Sequence, residues 1–574
     1  MTLILRKWFL LGLVLMLAGC GSGGSSELNN PTITFVTPDA TTIAAGATLQ
    51  LSAIVSGSDN TTVLWYVNNI PGGNSGTVGT ISPQGLYTAP SIPPVNGFVV
   101  ISAAPQVFPI VTTSITIYIT FGAGSLNGNY VFTLNGTQSG SPWAVAGSFS
   151  ANNGTISNGI EDINGPSGIS QALPFNGSYF LDADGQGIVT FTSAQGSINM
   201  AFTLNTQGQA VVMRTDAGSA ATGTFYLQLP TALTLTNLNS PYVFSFTGND
   251  SSGKILNAIG TFVTNGSTTL AAAEEDINYG GAASNQPFTG SYSIGTGGRG
   301  TATFTDSTGA HTYTFYIVSP TQLQFIETDT SGNLSGTAFQ QQSVTFTTTL
   351  AGGYVFYESG ETGSAAYGAA GGFSTNTSTT GNINAGTDDI NIAGAITINA
   401  TLTGSFTIEP SGRGTLSLSG ASGTNNYVYY LITPSTAFLL SKDSGINASG
   451  ALYSQSGGYT TAALIGSYTL LQISPTAVTP PSLAVGWIAL NGNGALAGYE
   501  ITNNNGTISS ELSVTGAYAV TASATNTATR GAATFTINGG ASTVFAFYPI
   551  SNSSFIMLGE SGAPMVATLV SQYQ

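Results

Sequence analysis

The sequence has 574 residues, only 6 % of which are charged, and its formal net charge is −16. Nucleic acid is excluded as a partner because phosphate binding needs a basic face, which this composition lacks. The 75 glycines and the abundance of Thr, Ser and Asn favour short strands and turns over long helices, so we predict an all-β protein. Several domains are expected, since single cores stop growing near ~250–300 residues.

The first 19 residues have the pattern of a signal peptide. Arg6 and Lys7 form a cationic start, an apolar run follows at 8–17, and small residues precede Cys20. The apolar run of about ten residues is too short to cross ~30 Å of hydrocarbon as a helix. Cys20 is the one cysteine in the sequence, so a disulfide within the chain is impossible.

The segment Leu17-Ala18-Gly19-Cys20 resembles the lipobox of bacterial lipoproteins. The resemblance implies that Cys20 is lipidated and becomes the first residue of the mature chain; the alternative is a buried or reactive thiol. In this family an aspartate directly after the cysteine signals retention. The residue here is Gly21, which implies the outer membrane, on its periplasmic or extracellular face. We therefore expect the membrane as a partner through the lipid, with residues 20–30 as a Gly/Ser-rich flexible linker.

Residues 31–120 alternate apolar and polar positions in short runs, a pattern typical of strands with one face in a core. The segments 44–51 and 79–90, together with the central Trp65, resemble bacterial immunoglobulin-like domains. The resemblance implies a sandwich that acts as a spacer or adhesive module, and it implies no chemistry. Without a cysteine pair, Trp65 is expected to pack against aliphatic side chains.

The rest of the chain is a fourfold repeat of about 112 residues, with copies at 124–235, 236–346, 347–460 and 461–574. Each copy begins with a Leu-x-x-x-Tyr segment, and the steps between successive tyrosines are 112, 112 and 114 residues; these are Tyr130, Tyr242, Tyr354 and Tyr468. The second copy contains eight period-two segments. We predict that each copy is an antiparallel meander closed as a small barrel or a two-sheet sandwich.

An acidic patch recurs as Asp-Ile-Asn at Asp162, Asp276 and Asp389, and becomes Glu500-Ile501-Thr502-Asn503 in the last copy. Neighbouring residues on a strand face opposite sides, so adjacent carboxylates cannot meet in one pocket. We interpret the patch as structural, with Asp and Asn bonding the local backbone. The three aspartates are also weak calcium candidates, because carboxylate oxygens suit that ion.

Three arginines occupy one repeat position, where the first copy has Gln186; they are Arg299, Arg413 and Arg530. A strand of about seven residues, roughly 23 Å, separates each arginine from the acidic patch of its own copy. We predict that all three lie in exposed hairpin turns on one rim. There they would be free to bind an anionic partner or the next module.

Catalytic signals are sparse. His311 is the one histidine and is expected at the surface or rim of its module; with no second histidine and no nearby cysteine, serine triads and zinc hydrolase sites are excluded. We predict no enzyme activity and no cofactor. The expected function is a cell-surface lipoprotein that binds or adheres to a surface glycan or protein. The alternatives are small apolar ligands held in barrel-like modules, or glycan hydrolysis by carboxylates alone.

Overall fold

A computed structural model describes residues 30–229, 233–342, 346, 350–375, 381–420, 423–455, 457–475, 481–504, 506–521 and 529–573. Cys20 and its signal segment lie outside these ranges. Over the residues so described the fold is all-β, as predicted, with 45 strands and four single-turn 3-10 helices, which are Ala123–Ser125, Leu235–Asn237, Thr296–Gly298 and Thr461–Ala463. Within the described residues, no helix is long and apolar enough to cross a membrane.

The first eleven strands form a separate N-terminal β domain. Their bounds are β1 Thr32–Val36, β2 Thr42–Ala44, β3 Thr48–Gln50, β4 Ser52–Ser56, β5 Val63–Val67, β6 Ile70–Pro71, β7 Gly73–Asn74, β8 Gly79–Ile81, β9 Leu86–Thr88, β10 Phe98–Pro105 and β11 Thr113–Thr120. They pair as β1-β4, β2-β11-β10-β5-β6 and β3-β9-β8-β7. Trp65 packs in the core with aliphatic side chains and with Phe35, whose ring centre is 5.7 Å away.

The first repeat is a closed eight-stranded antiparallel barrel, called barrel 1. Its strands are β12 Gly128–Gln138, β13 Ser141–Asn152, β14 Thr155–Gly165, β15 Gly168–Leu181, β16 Gln186–Ser193, β17 Gly196–Leu204, β18 Ala210–Arg214 and β19 Ser219–Leu227. Inward aromatic rings fill it, with Phe132, Phe149, Phe191 and Phe225 in mutual contact. The barrel is therefore a packed core and has no channel.

The second repeat, barrel 2, has the same strand order with one strand divided in two. Its strands are β20 Pro241–Asn249, β21 Ile255–Val263, β22 Ala273–Tyr279, β23 Ala282–Pro287, β24 Thr289–Ile294, β25 Arg299–Thr305, β26 Ala310–Ser319, β27 Gln322–Glu327 and β28 Ser335–Gln340. The ends of this nine-stranded sheet, β23 and β24, are consecutive in the chain. Backbone hydrogen bonds from Leu270 to Gly290 and from Tyr292 to Thr268 join β24 to the segment that precedes β22, and so close the barrel.

Barrels 3 and 4 repeat the arrangement, so the choice between barrel and sandwich resolves to barrels. Barrel 3 consists of β29 Gly352–Thr362, β30 Ala365–Thr375, β31 Asn382–Ile392, β32 Ala395–Ile408, β33 Arg413–Gly420, β34 Gly423–Thr433, β35 Thr436–Ser441 and β36 Ile446–Gln455. Barrel 4 consists of β37 Ile465–Ile473, β38 Ser482–Asn491, β39 Ala495–Asn504, β40 Thr507–Ile508, β41 Leu512–Thr521, β42 Arg530–Ile537, β43 Ser542–Ser551, β44 Ser554–Gly559 and β45 Val566–Ser571. Pairing of β38 with β39 closes barrel 4.

The four barrels pack side by side in a closed ring, because barrel 4 returns to contact barrel 1. Outward-facing apolar residues form a cluster at each of the four junctions. A cavity of about 240 Å³ is lined by residues from every barrel; these include Asn135, Asn257, Ser359 and Ser474. The junction between barrels 4 and 1, here called the closing junction, buries Leu483 and Val485 with Ala201 and Met213.

Candidate functional site

Each of the three arginines binds an aspartate of the preceding barrel. Arg299 of barrel 2 reaches Asp162 of barrel 1 in a two-point contact, with Nε to Oδ2 at 2.8 Å and a second guanidinium nitrogen to Oδ1 at 2.6 Å. Arg413 binds Asp276 at 2.8 and 2.9 Å. Arg530 binds Asp389 at 2.8 and 2.7 Å. Parallel double contacts of this kind are the strongest ion-pair geometry in proteins.

A tyrosine completes each contact. Tyr430 donates its hydroxyl to Asp276 at 2.8 Å, and Tyr316 and Tyr548 donate likewise to Asp162 and Asp389. The hydrogen bond from Arg299 to Asp162 raises the arginine pKa above its ordinary value. We call each set of aspartate, arginine and tyrosine a junction triad. Its carboxylates are buried at 0–3 % side-chain exposure, so charge pairing there is shielded from solvent.

The prediction of exposed arginines is therefore wrong. The side chains of Arg299, Arg413 and Arg530 are 21, 13 and 12 % exposed, and their charges are already paired. The strand order does separate each arginine from the acid of its own copy. The ring, however, brings the acid of the preceding copy directly opposite the arginine. These arginines are junction residues and are not available to an external polyanion.

The closing junction lacks the triad. In the strand register Ile501 takes the place of the aspartate, since it lies opposite Val485 as Asp162 lies opposite Ala146. Gln186 takes the place of the arginine, and its cross-strand neighbour Thr203 takes the place of the tyrosine. Glu500 therefore corresponds to Glu161, the residue before the aspartate, and not to the aspartate itself. Within the described residues, the polar atoms of the Gln186 and Thr203 side chains are buried and have no hydrogen-bond partner.

Two amide contacts recur at all four junctions, including the closing one. The asparagine of each acidic patch donates to two backbone carbonyls of the next barrel; these asparagines are Asn164, Asn278, Asn391 and Asn503. A glutamine near the end of each copy donates to a carbonyl of the next barrel; these glutamines are Gln228, Gln341, Gln455 and Gln572. Geometry shared by all four junctions is therefore set by neutral hydrogen bonds.

The structural interpretation of the acidic patch agrees with these contacts. Asp162 accepts a local backbone hydrogen bond from Ala172 at 3.0 Å, and Asp389 accepts one from Asn399 at 2.7 Å. Both donors have positive φ, 52° and 49°, at irregularities in the strand pairing. Asp162, Asp276 and Asp389 are the three calcium candidates. Each has an arginine guanidinium at the position that a calcium ion would need.

The neighbouring acid of each patch points the other way, into its own barrel, as strand alternation requires. Glu161 lies near Ser193 and Arg214 of barrel 1, and burial raises its pKa to about 7. Burial raises the pKa of Glu275 and of Glu500 to about 7 as well. Of these interior acids, Glu275 borders a cavity of ligand size.

That cavity, about 480 Å³, lies at one mouth of barrel 2. Its inner wall includes Phe246, Phe304 and Tyr313. The strand register gives a cause: Trp143 in barrel 1 and Tyr367 in barrel 3 each lie opposite a glycine of the neighbouring strand, and Leu256 holds this position in barrel 2. Leucine is smaller than tryptophan and tyrosine, so Leu256 leaves this mouth of barrel 2 open.

His311 lies at the rim of this cavity, as predicted, with its side chain 23 % exposed. Its Nδ1 is 3.3 Å from Glu327 and 3.0 Å from the Ser331 hydroxyl. The hydrogen bond with Glu327 raises the His311 pKa. One ligand atom each from His311, Glu327 and Asp329 lie within 4.8 Å of one another, the spacing of a possible metal group. All three side chains already form hydrogen bonds with their neighbours. The Asp329 carboxylate, for example, accepts from the backbone N–H groups of Thr312 and Ser331.

Glu275 and Asp306 are one pair of carboxylates to weigh as a hydrolytic acid and nucleophile, because they share a hydrogen-bond donor. The amide nitrogen of Gln286 is 3.1 Å from Glu275 and 2.8 Å from Asp306. It therefore occupies the space in which a glycosidic oxygen would have to lie between acid and nucleophile. His311 stands out in the sequence, whereas the cavity at the mouth of barrel 2 was not predicted from it. The available signal was Leu256 at a position that is aromatic in two other copies.

Comparison with known proteins gives no family. No family model matches the chain, and no curated protein matches it. Among solved structures, the intact Ap-TbpB (N and C lobes) has 10 % identity and a TM-score of 0.15, covering 63 % of this chain and 82 % of that one. Kievitone hydratase from Nectria haematococca has 8 % identity and a TM-score of 0.15, covering 60 % of this chain and 93 % of that one. Likenesses at this TM-score carry no argument about function.

Proposed function

We propose that this protein is a non-enzymatic, lipid-anchored binding protein of the outer membrane that holds a small ligand in the mouth of barrel 2. The observation that carries the proposal is the cavity of about 480 Å³ with Phe246, Phe304 and Tyr313 on its wall. Ligand pockets typically enclose about 300–1,000 Å³ and combine apolar walls with a few polar groups. Adhesion, the first expectation from sequence, has only the repeat pattern and the N-terminal domain in its favour.

The ring suits such a role because it gives the pocket rigid walls. Barrel 2 contacts barrels 1 and 3 through junction triads and apolar clusters on its outer surface. The cavity opens at one end of the barrel, so packing in the ring does not cover it. Lipidation at Cys20 would keep the ring at the membrane, and the linker and the N-terminal domain would separate the two.

The proposal is tested with N-phenyl-1-naphthylamine, a neutral fluorophore whose emission rises in an apolar cavity. We expect the wild-type protein to bind one equivalent. The double variant Leu256→Trp, Ala258→Val transplants the side chains of Trp143 and Val145, which hold the same register positions in barrel 1. It should lose the signal and remain folded, because the added volume enters an existing cavity.

The matched control is Ile465→Trp, which adds the same indole at a side chain 65 % exposed on barrel 4. It should bind the fluorophore as the wild type does. Equal binding by the double variant, or no binding by the wild type, would overturn the proposal.

A further inference from the structure

The cavity of barrel 2 is charged as well as apolar. Three carboxylates line it, Asp250, Glu275 and Asp306, and a fourth, Glu327, lies directly behind its rim. His311 is the one basic side chain on the lining, and Glu327 already pairs with it. Lys254 lies outside the lining, with its ammonium 3.9 Å from the centre of the Tyr279 ring. The cavity therefore keeps a negative charge even when His311 is protonated.

Two of these carboxylates converge on one point. Glu275 and Asp306 both accept from the same amide nitrogen of Gln286, at 3.1 and 2.8 Å. A neutral amide offers this pair only two hydrogens and no positive charge. An ammonium group offers three hydrogens and a full charge, and hydrogen bonds between ions are about twice as strong as neutral ones.

Glu275 is 8 % exposed and has no arginine or lysine bonded to it. Burying a carboxylate without a counter-ion is costly, and here burial raises its pKa to about 7. Other barrels also hold buried interior acids. Glu358 of barrel 3, for example, accepts from the hydroxyls of Tyr367 and Tyr427 at 2.6 and 2.9 Å. Among the interior acids named here, Glu275 is the one that borders a cavity of ligand size.

The wall beside this acidic point is aromatic. Phe246 and Phe304 are nearly parallel, with ring centres 6.4 Å apart, and Tyr313 lies 5.3 Å from Phe246. Aromatic faces attract cations as well as apolar groups. A ligand with an apolar body and a cationic head would meet complementary surfaces at both ends.

We infer that the mouth of barrel 2 binds an organic ammonium ion, with its head between Glu275 and Asp306 and its apolar body against Phe246, Phe304 and Tyr313. The inference rests on the proposed binding function and specifies the ligand class. Binding would move the Gln286 amide aside, since both cannot occupy the same point.

Calorimetric titration with three probes of one shape tests the ligand class: 2-phenylethylamine, 2-phenylethanol and 3-phenylpropionate. We expect the amine to bind at least tenfold more tightly than the alcohol, and the carboxylate to give no saturable signal. Glu275→Gln should weaken the amine about tenfold and leave the alcohol unchanged. Glu358→Gln, which removes a buried carboxylate from a barrel without this cavity, should leave both unchanged.

The outcomes separate the two proposals. If the naphthylamine probe binds wild type and is lost in the Leu256→Trp, Ala258→Val variant, but the alcohol or the carboxylate equals the amine, the ligand class assigned here is wrong and the pocket stands. If neither that fluorophore nor any of the three titrated probes binds, the binding function itself is wrong. Should Glu275→Gln fail to fold, Asp306→Asn serves as the second variant with the same expected tenfold loss.

Discussion

Arg413 of barrel 3 and Asp276 of barrel 2 form a two-point ion pair at 2.8 and 2.9 Å, although 137 residues separate them in the chain. The aspartate side chain is 3 % exposed and the arginine 13 %. Breaking a buried pair is costly because the remaining charge is left without a partner. The pair therefore strengthens the coupling between two barrels that also share an apolar cluster and neutral hydrogen bonds.

Asp276→Ala is expected to destabilise the junction of barrels 2 and 3 by about 3–5 kcal/mol, because Arg413 and Tyr430 both lose their acceptor. Calorimetric unfolding measures the loss, which should affect both barrels. A double-mutant cycle with Arg413→Ala should give a coupling energy well above zero. The matched control is Glu409→Ala, which removes the 52 % exposed second partner of Arg413 and should cost under ~1 kcal/mol. Equal losses in the two variants would contradict a special role for the triad.

A second prediction concerns the closing junction. Ile501→Asp alone should cost several kcal/mol, about the 3–5 kcal/mol of an unpaired buried charge, since Gln186 and Thr203 supply no cation. Adding Gln186→Arg and Thr203→Tyr builds the triad of the other junctions and should recover more than half of the lost melting temperature. A triple variant no more stable than Ile501→Asp would show that these positions do not correspond across junctions.

The third prediction concerns pH. Burial raises the pKa of Glu358 from 4.5 to about 7, against the opposing hydrogen bonds of Tyr367 and Tyr427. The folded protein thus holds this proton more tightly than the unfolded chain does. The resulting stability is fully present below about pH 4.5 and is lost as the pH rises through about 7, by on the order of 3 kcal/mol. Glu358→Gln should flatten the decline of melting temperature between pH 5 and 8. An unchanged slope in the variant, matching that of the exposed control Glu409→Gln, would assign the pH dependence to other groups.

The fourth prediction concerns the membrane anchor. Cys20→Ser should release the protein into the soluble fraction, because the lipid on one residue is expected to carry the membrane affinity. Fractionation followed by immunoblotting measures the distribution. Gly21→Ala, next to the same residue, should stay in the membrane fraction. Membrane recovery of Cys20→Ser at the wild-type level would contradict the lipoprotein hypothesis.

The sequence predicted most strands of barrel 2 because aromatic residues such as Tyr242, Phe244 and Phe246 recur at every second position, and this period marks the face that packs in the core. It did not predict the ring, because docking depends on which outward faces match. A signal was nonetheless present: Arg299 and Arg413 each follow an aspartate of the preceding copy by 137 residues. The cavity was harder to predict, since Leu256 is an ordinary apolar residue until the register places it beside Trp143 and Tyr367.

The closing junction also determines the order in which the barrels can fold and pack into the ring. Gln572 donates to the carbonyl of Asp184 across 388 residues of sequence. During synthesis, barrel 1 emerges before the other barrels, and its Ala201 and Met213 stay uncovered until barrel 4 has folded. Contacts this distant in sequence form late. In that interval the apolar face of barrel 1 could pair with another nascent chain, so a chaperone would find its natural target there.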